Sequence, residues 1–271
     1  MLKFFLALIL FVVPLSASAH SQNFSLDGDH GKLSAVLQTP DAQKNFPLVI
    51  ICHGFTGNKE SLLLTSLADE LEARGIASIR FDFNGHGQSD GDFQAMTVLN
   101  EIEDAKKVFE YASRLTNVTS ISITGHSQGG VVASMVAGEL GAKKIKAVVL
   151  LAPAAVLRDD SIRGNLFGVT YDSLNPPAFV EIFGGHKVGR DYILTAQTLP
   201  IYETAEKFTN PALMIHGTGD VVVPYTYSLS YKKIYRRGEV QLLERVDHSF
   251  VGEESRTAKI AADFFARQLK K

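Results

Sequence analysis

Residues 125–129 read Gly-His-Ser-Gln-Gly, which places one serine between two glycines at the spacing of a nucleophile elbow. An apolar, β-rich run at residues 118–124 precedes the motif, and a predicted helix containing residues 131–137 follows it. A sharp turn from strand to helix projects a hydroxyl from the backbone, and the glycines have no Cβ to clash where the chains crowd. Ser127 is therefore predicted to be a nucleophile that attacks a carbonyl carbon.

A serine hydroxyl becomes a good nucleophile only when a base accepts its proton and a carboxylate orients that base. In proteins with this type of elbow, the acid and then the histidine follow the serine along the chain. His248 follows the predicted strand 240–243 and is the candidate base, while Asp220 follows the predicted strand 212–216 and is the candidate acid. Asp247 is the rival acid, but neighbours in a loop seldom point at each other, so we expect it to shape the loop by hydrogen bonding.

The oxyanion that forms during attack on a carbonyl needs backbone N–H donors. One donor is expected from Gln128, the residue after the nucleophile, and the other from a loop that follows an early strand. Residues 53–57 follow the apolar run 48–52 and fit that description. The amides of Phe55 and Gln128 are therefore the predicted oxyanion hole.

The composition argues against several other kinds of chemistry. A net charge of -2, a pI near 6.4 and the lack of a basic run exclude a nucleic-acid partner. The sequence has no H-E-x-x-H motif and no Cys/His cluster, so no metal site is predicted, and serine chemistry requires no cofactor. The single cysteine, Cys52, lies in an apolar run and is expected to pack in the core. Composition leaves the oligomeric state open.

The first 19 residues differ from the rest of the chain. Lys3 precedes an apolar run at residues 4–13, and the small residues Ala17, Ser18 and Ala19 follow. This pattern is typical of a signal peptide cleaved before His20. The apolar run is short for a membrane span, and an uncleaved anchor is the alternative. We therefore expect an exported protein, periplasmic or secreted, without a stable membrane span after cleavage.

Residues 20–271 suit one large domain, because 45% of the chain is hydrophobic and strand-length apolar runs alternate with amphipathic, helix-length stretches. Strands that are apolar throughout and separated by helices indicate a parallel sheet covered on both faces. A β-hairpin is expected before the first of these strands, around residues 27–29. The predicted strands of the sheet are residues 48–52, 76–81, 118–124, 145–151, 212–216 and 240–243.

The alternation of strands and helices breaks between Ala152 and Phe208. Glycines and the run Asn175-Pro176-Pro177 interrupt short apolar pieces there. Long irregular segments inside a compact domain are usually lids or binding segments. We therefore predict an inserted cap at residues 154–208.

Taken together, these segments resemble the α/β-hydrolase superfamily across almost all of the mature chain. The broad resemblance lies in residues 53–55, 84–89 and 125–129, the loop of Asp220, and His248. It implies an α/β fold with a mostly parallel central sheet, helices on both faces and an inserted cap, and it implies a serine carboxylesterase that uses Ser127, Asp220 and His248.

A narrower resemblance connects the chain to bacterial cinnamoyl and feruloyl esterases, through residues 53–59, 151–155 and 199–204. It implies hydrolysis of hydroxycinnamate esters, such as those from plant cell walls, through an acyl-enzyme intermediate. In these enzymes polar residues of the cap meet the phenolic hydroxyl of the substrate. The resemblance implies that role for Asp159 and Tyr192.

Two alternatives to this function stay open at the level of sequence. A lipid-directed esterase or monoacylglycerol-type lipase would use the same chemistry, with the cap as a flexible apolar lid. A noncatalytic binding protein could retain the same fold, since a fold alone does not establish activity. The complete set of nucleophile, acid, base and oxyanion segments argues against the binding protein.

Overall fold

The computed structural model describes residues 20–40 and 44–269, so the predicted signal peptide at residues 1–19 lies outside the described residues. Strands and helices alternate along most of the chain. The strands are β1 (His20–Asp27), β2 (Lys32–Thr39), β3 (Phe46–Cys52), β4 (Ala77–Phe81), β5 (Val118–His126), β6 (Ile145–Leu151), β7 (Asn165–Leu166), β8 (Val169–Thr170), β9 (Phe179–Glu181), β10 (Lys187–Gly189), β11 (Ala212–Gly217) and β12 (Gly238–Leu243). The α-helices are α1 (Leu62–Glu72), α2 (Val98–Arg114), α3 (Gln128–Leu140), α4 (Val156–Arg163), α5 (Arg190–Gln197), α6 (Ile201–Ala205), α7 (Thr226–Ile234) and α8 (Glu254–Leu269).

Eight of these strands form one sheet in the order β1-β2-β4-β3-β5-β6-β11-β12. The pairings β1–β2 and β2–β4 are antiparallel, and the remaining pairings are parallel. The carboxyl ends of β3, β5, β6, β11 and β12 therefore lie at one edge of the sheet. This mostly parallel sheet confirms the fold class expected from the sequence, and each predicted strand corresponds to an observed one.

The strand β3 shows why the predicted strands are apolar throughout. Its side chains alternate between two cores: Leu48, Ile50 and Cys52 belong to one core, and Val49 and Ile51 belong to the other. All five residues are fully buried. A strand covered on both faces has no polar face, which explains the continuous apolar run.

The helices cover the two faces of the sheet in separate layers. Helices α1 and α8 pack together on one face, while α2 and α3 cover the other. Thr97 caps α2 by accepting a hydrogen bond from the Asn100 amide. None of the helices in the described part of the chain is long and apolar enough to cross a membrane.

The segment predicted to be a cap, residues 154–208, connects β6 to β11. We call this segment the cap and the rest of the domain the main body. The cap contains two small antiparallel hairpins, β7–β8 and β9–β10, together with α4 and α5. The short helix α6, which ends the segment, packs against α3 of the main body. Gly138 of α3 allows this contact, because a Cβ there would collide with the carbonyl oxygen of Thr204.

Candidate active site

Ser127 is the single residue between the end of β5 and the start of α3, and its backbone is strained, with φ 55° and ψ −123°. Such backbone strain in a residue other than glycine costs roughly 1–3 kcal/mol and is typical of functional sites. A Cβ at Gly125 would collide with the carbonyl oxygen of Gly129, and a Cβ at Gly129 would collide with that of His53. The two glycines of the motif are therefore required by close backbone approach.

The structure brings together the three residues predicted to form a triad. The Ser127 hydroxyl donates to His248 Nε2 at 2.9 Å, and His248 Nδ1 donates to Asp220 Oδ2 at 2.7 Å. Asp247 does not take the place of the acid. Its Oδ1 accepts from the Val251 amide at 3.0 Å, which is the loop-shaping bond expected for it. The arrangement can move a proton from serine to imidazole while a carboxylate orients the ring.

Asp220 is held by more donors than the candidate base alone. Its Oδ1 accepts from the amides of Val222 and Val223 at 2.9 and 2.7 Å, and its Oδ2 also accepts from His216 Nε2 at 3.0 Å. Burial by itself would raise the pKa of Asp220, but hydrogen bonds from the two histidines and the backbone hold it well below its usual range. The carboxylate is therefore ionised and fixed in orientation.

Two further histidines position this site, and sequence reasoning did not assign them that role. His216 receives a hydrogen bond from the Ser228 hydroxyl at 2.7 Å, which leaves Nε2–H to donate to the acid. His126 Nε2 donates to the carbonyl oxygen of His248 at 2.8 Å. Removal from water lowers the pKa of His126 to about 4. A neutral His126 thus ties the loop of the candidate base to the elbow.

The predicted oxyanion donors belong to two residues that line the same cavity as Ser127. Gln128 is the first residue of α3, where amides have no acceptor within the helix. The Phe55 amide lies in the turn closed by the hydrogen bond from Gly57 N–H to Gly54 O, at 2.9 Å. Among the residues that the structure describes, neither amide donates to a protein acceptor. Both residues line the same cavity as Ser127, so both donors are free for an oxyanion.

The side chain of Gln128 joins the main body to the cap. Its Oε1 accepts from the Tyr192 hydroxyl at 2.7 Å, and its Nε2 donates to Glu101 Oε2 at 2.9 Å. Burial raises the pKa of Glu101 to about 8, although the hydrogen bond from Gln128 opposes the shift. Sequence reasoning missed Glu101. The signal was an acidic residue on the apolar face of α2, next to Ile102 and one turn before Ala105.

Tyr192 lines the site, but its hydroxyl proton is not available to a substrate. Its ring lines the cavity beside Ser127, while its hydroxyl proton is donated to Gln128. Burial raises the pKa of Tyr192 well above its usual value, so the phenol stays neutral. Its oxygen can still accept a hydrogen bond from a ligand.

The structure does not bring Asp159 into the cavity. Its Oδ2 accepts a hydrogen bond from the Tyr227 hydroxyl at 2.5 Å. The same oxygen lies 3.8 Å from Arg163 Nη2 on the outer side of α4. The next residue, Asp160, lines the cavity instead. Successive residues of a helix point about 100° apart, so a shift of one position moves a side chain from the wall to the surface. Burial raises the pKa of Asp160.

Two spaces meet at Ser127. The inner cavity has a volume of about 380 Å³ and lies under the cap; its wall includes Gln128, Leu157, Asp160 and Tyr192. The outer groove has a volume of about 620 Å³ and continues on the other side of the serine. The residues lining both spaces are Phe55, Ser127, Phe167 and Val222. Phe55 and Phe167 stack with ring centroids 5.2 Å apart.

The described residues contain no group of three His, Cys, Asp or Glu side chains that could hold a metal ion. The fold and the site together define a class of protein, a serine hydrolase on a mostly parallel sheet. The profile of the Hydrolase_4 family, described as serine aminopeptidase, S33, matches residues 43–174. The solved structure of Est1E from Butyrivibrio proteoclasticus with ferulic acid bound matches with a TM-score of 0.88 and 32% identity, covering 92% of this chain and 100% of that chain. The chain belongs to the α/β-hydrolase superfamily of serine esterases and resembles bacterial feruloyl esterases.

Curated relatives match over shorter segments. The quorum-quenching protein AidA of Acinetobacter baumannii is 31% identical over 107 residues, which is 38% of this chain and 35% of that protein. The lysophosphatidylserine lipase ABHD12 of Rattus norvegicus is 26% identical over 191 residues, which is 67% of this chain and 43% of that protein. The chain thus spans less than half the length of these relatives.

Proposed function

We propose that the protein is a serine carboxylesterase that hydrolyses hydroxycinnamate esters, with the acyl half of the substrate in the inner cavity. The observation that carries the proposal is the wall of that cavity. Aromatic rings of Phe55, Phe167 and Tyr192 surround a space that opens on Ser127, and Asp160 contributes a carboxylate. An aromatic acyl group with a phenolic hydroxyl matches both features, because rings pack against rings and a carboxylate accepts from a phenol.

The mechanism follows from the hydrogen bonds at the elbow. The Ser127 hydroxyl attacks the ester carbonyl as His248 Nε2 takes its proton, and the Asp220 carboxylate stabilises the imidazolium. The amides of Phe55 and Gln128 stabilise the oxyanion. The imidazolium then protonates the leaving alcohol, and an acyl-enzyme remains on Ser127. Water, activated by the same imidazole, releases the acid and restores the serine.

The cap supplies the proposed contact to the phenolic hydroxyl. Asp160 lines the cavity and its carboxylate accepts the single proton of that hydroxyl, whereas Tyr192, whose own proton is donated to Gln128, contributes its ring to the cavity wall. Asp159 is replaced in this role by Asp160, because Asp159 faces Tyr227. The solved structure of Est1E, which has ferulic acid bound, supports the assignment of the acyl group.

Export is a further part of the proposal. The pattern of residues 1–19 supports export through a signal peptide. Expression of the full chain in a bacterial host, followed by N-terminal sequencing of the protein outside the cytoplasm, should give a chain that begins at His20. A chain that keeps residues 1–19 would contradict cleavage.

The decisive experiment compares kcat/KM for methyl ferulate and for a medium-chain monoacylglycerol. We expect at least a tenfold preference for methyl ferulate. A fluorophosphonate should label Ser127 covalently, and Ser127→Ala should lose both labelling and about 10⁵-fold or more of kcat. The matched control is Ser249→Ala, beside the histidine but outside the triad, which should still be labelled. Labelling that survives Ser127→Ala would overturn the mechanism.

A lipid-directed esterase is the second candidate, and one observation favours it. Large apolar side chains surround the mouth of the site and are exposed, among them Leu62, Val221 and Val251. The relative from Rattus norvegicus is named a lysophosphatidylserine lipase. Preference for the monoacylglycerol in the same comparison would favour this candidate over the hydroxycinnamate esterase.

A further inference from the structure

The outer groove is a second space at the candidate nucleophile that the acyl group does not need. Its wall contains His248 and five exposed apolar side chains, Leu62, Phe167, Phe183, Val222 and Val251. Among the described residues that line the groove, Glu254 at the start of α8 is the only aspartate, glutamate, lysine or arginine. The groove is therefore mainly apolar, with one negative charge.

The direction of proton transfer decides which half of an ester lies there. His248 Nε2 faces the Ser127 hydroxyl and carries the proton that the leaving alcohol must receive. The alcohol oxygen must therefore lie on the side of the imidazole. His248 lines the outer groove and is absent from the wall of the inner cavity, whereas Gln128 lines only the inner cavity.

We propose that the outer groove binds the alcohol half of the ester and selects an uncharged, apolar alcohol. The proposal rests on the proposed function for the acyl half and for the triad. Leu62, Phe183 and Val251 are 63%, 54% and 69% exposed, so their apolar surface is available to a ligand. Covering it removes this surface from water, which favours binding. The carboxylate of Glu254 disfavours an alcohol that itself carries a carboxylate.

The test is a series of ferulate esters that differ only in the alcohol: methyl, butyl and 4-hydroxybutyrate. A fully buried methylene contributes about a fourfold change in binding, and the groove is open to solvent. We therefore expect kcat/KM to rise about tenfold from the methyl to the butyl ester. The anionic 4-hydroxybutyrate ester should fall at least tenfold below the butyl ester.

Substitutions in the groove separate this preference from simple ester reactivity. The double variant Leu62→Ser and Val251→Ser should lower the butyl-to-methyl ratio of kcat/KM about fivefold. The matched control is Leu174→Ser, since Leu174 is 95% exposed and lines neither space. Glu254→Gln should raise the ratio of the anionic ester to the butyl ester about threefold, whereas Glu253→Gln should leave that ratio unchanged.

The outcomes distinguish failure of the groove proposal from failure of the proposed function. Equal kcat/KM for all three esters in the wild-type protein would overturn the groove proposal, and turnover of methyl ferulate would still support the acyl assignment. If no ferulate ester is hydrolysed, the acyl assignment fails. The same alcohol series is then measured with acetate esters, where the same ratios decide the role of the groove.

Discussion

The main body and the cap contribute different kinds of residue to one site. Ser127 and Asp220 follow strands of the buried sheet, and their hydrogen bonds join residues far apart in the chain. The cap consists of short helices and two-strand hairpins, and it exposes large apolar side chains such as Phe167 and Phe183. The proposed chemistry therefore lies on a rigid scaffold, and the proposed acyl selectivity lies on short elements.

This difference has a kinetic consequence. A change in the triad should slow every ester by the same factor, because all esters share the proton transfers. A change in the wall of the inner cavity should alter the ratio between esters, because only some acyl groups meet that side chain. Comparing two acyl groups therefore tests the division between body and cap.

The largest effect is expected in the main body. Asp220→Asn removes the carboxylate that orients His248, and kcat should fall about 10⁴-fold, with similar factors for methyl ferulate and methyl acetate. The control is Asp247→Asn, which changes the neighbouring loop carboxylate and should stay within threefold of the wild type. A loss confined to the ferulate ester would contradict the proposed separation of chemistry from selectivity.

An intermediate effect is expected where the two regions join. The folded-state pKa of Glu101 is about 8, whereas its ordinary value is 4.5. Between these values the unfolded chain loses the proton and the folded protein keeps it, so the stability contributed by the buried acid is complete below pH 4.5 and is lost as the pH rises towards 8. The free energy of unfolding should fall relative to that of Glu101→Gln by up to about 1.4 kcal/mol per pH unit. Urea unfolding at pH 5, 6, 7 and 8 measures this difference, and a constant difference would contradict it.

The smallest effect is expected in the cap. Asp160→Asn weakens a hydrogen bond to a phenolic hydroxyl, so kcat/KM for methyl ferulate should fall about fivefold. Methyl cinnamate, which lacks that hydroxyl, should change less than twofold. Asp159→Asn is the matched control on the outer side of α4 and should affect neither ester. Equal losses for both esters in Asp160→Asn would remove the phenol contact from the proposal.

The same division separates what the sequence could predict from what it could not. The buried strands and the elbow carry local signals, since continuous apolar runs and the glycines at 125 and 129 are required by close packing. The positions of Ser127, Asp220 and His248 follow from strand ends that share one edge of the sheet. These elements could be located from residue types and spacing alone.

The cap could not be located with the same precision. Its elements are two to eight residues long, too short for periodicity to fix which side of a helix faces the cavity. The resemblance to feruloyl esterases implied Asp159, whereas Asp160 lines the cavity. Hydrogen bonds connect Tyr192, Gln128 and Glu101, which lie on three different helices. Their spacing along the chain does not predict these contacts.

Cys52 ends β3 directly behind the elbow and is fully buried; burial raises the pKa of its thiol well above the usual value. It is the only cysteine of the chain, so a thiol-directed dye should find no reactive group in the folded protein. Leu174→Cys would then add a single addressable thiol on the surface of the cap. A fluorophore attached there would test whether the cap moves during turnover, without any background label.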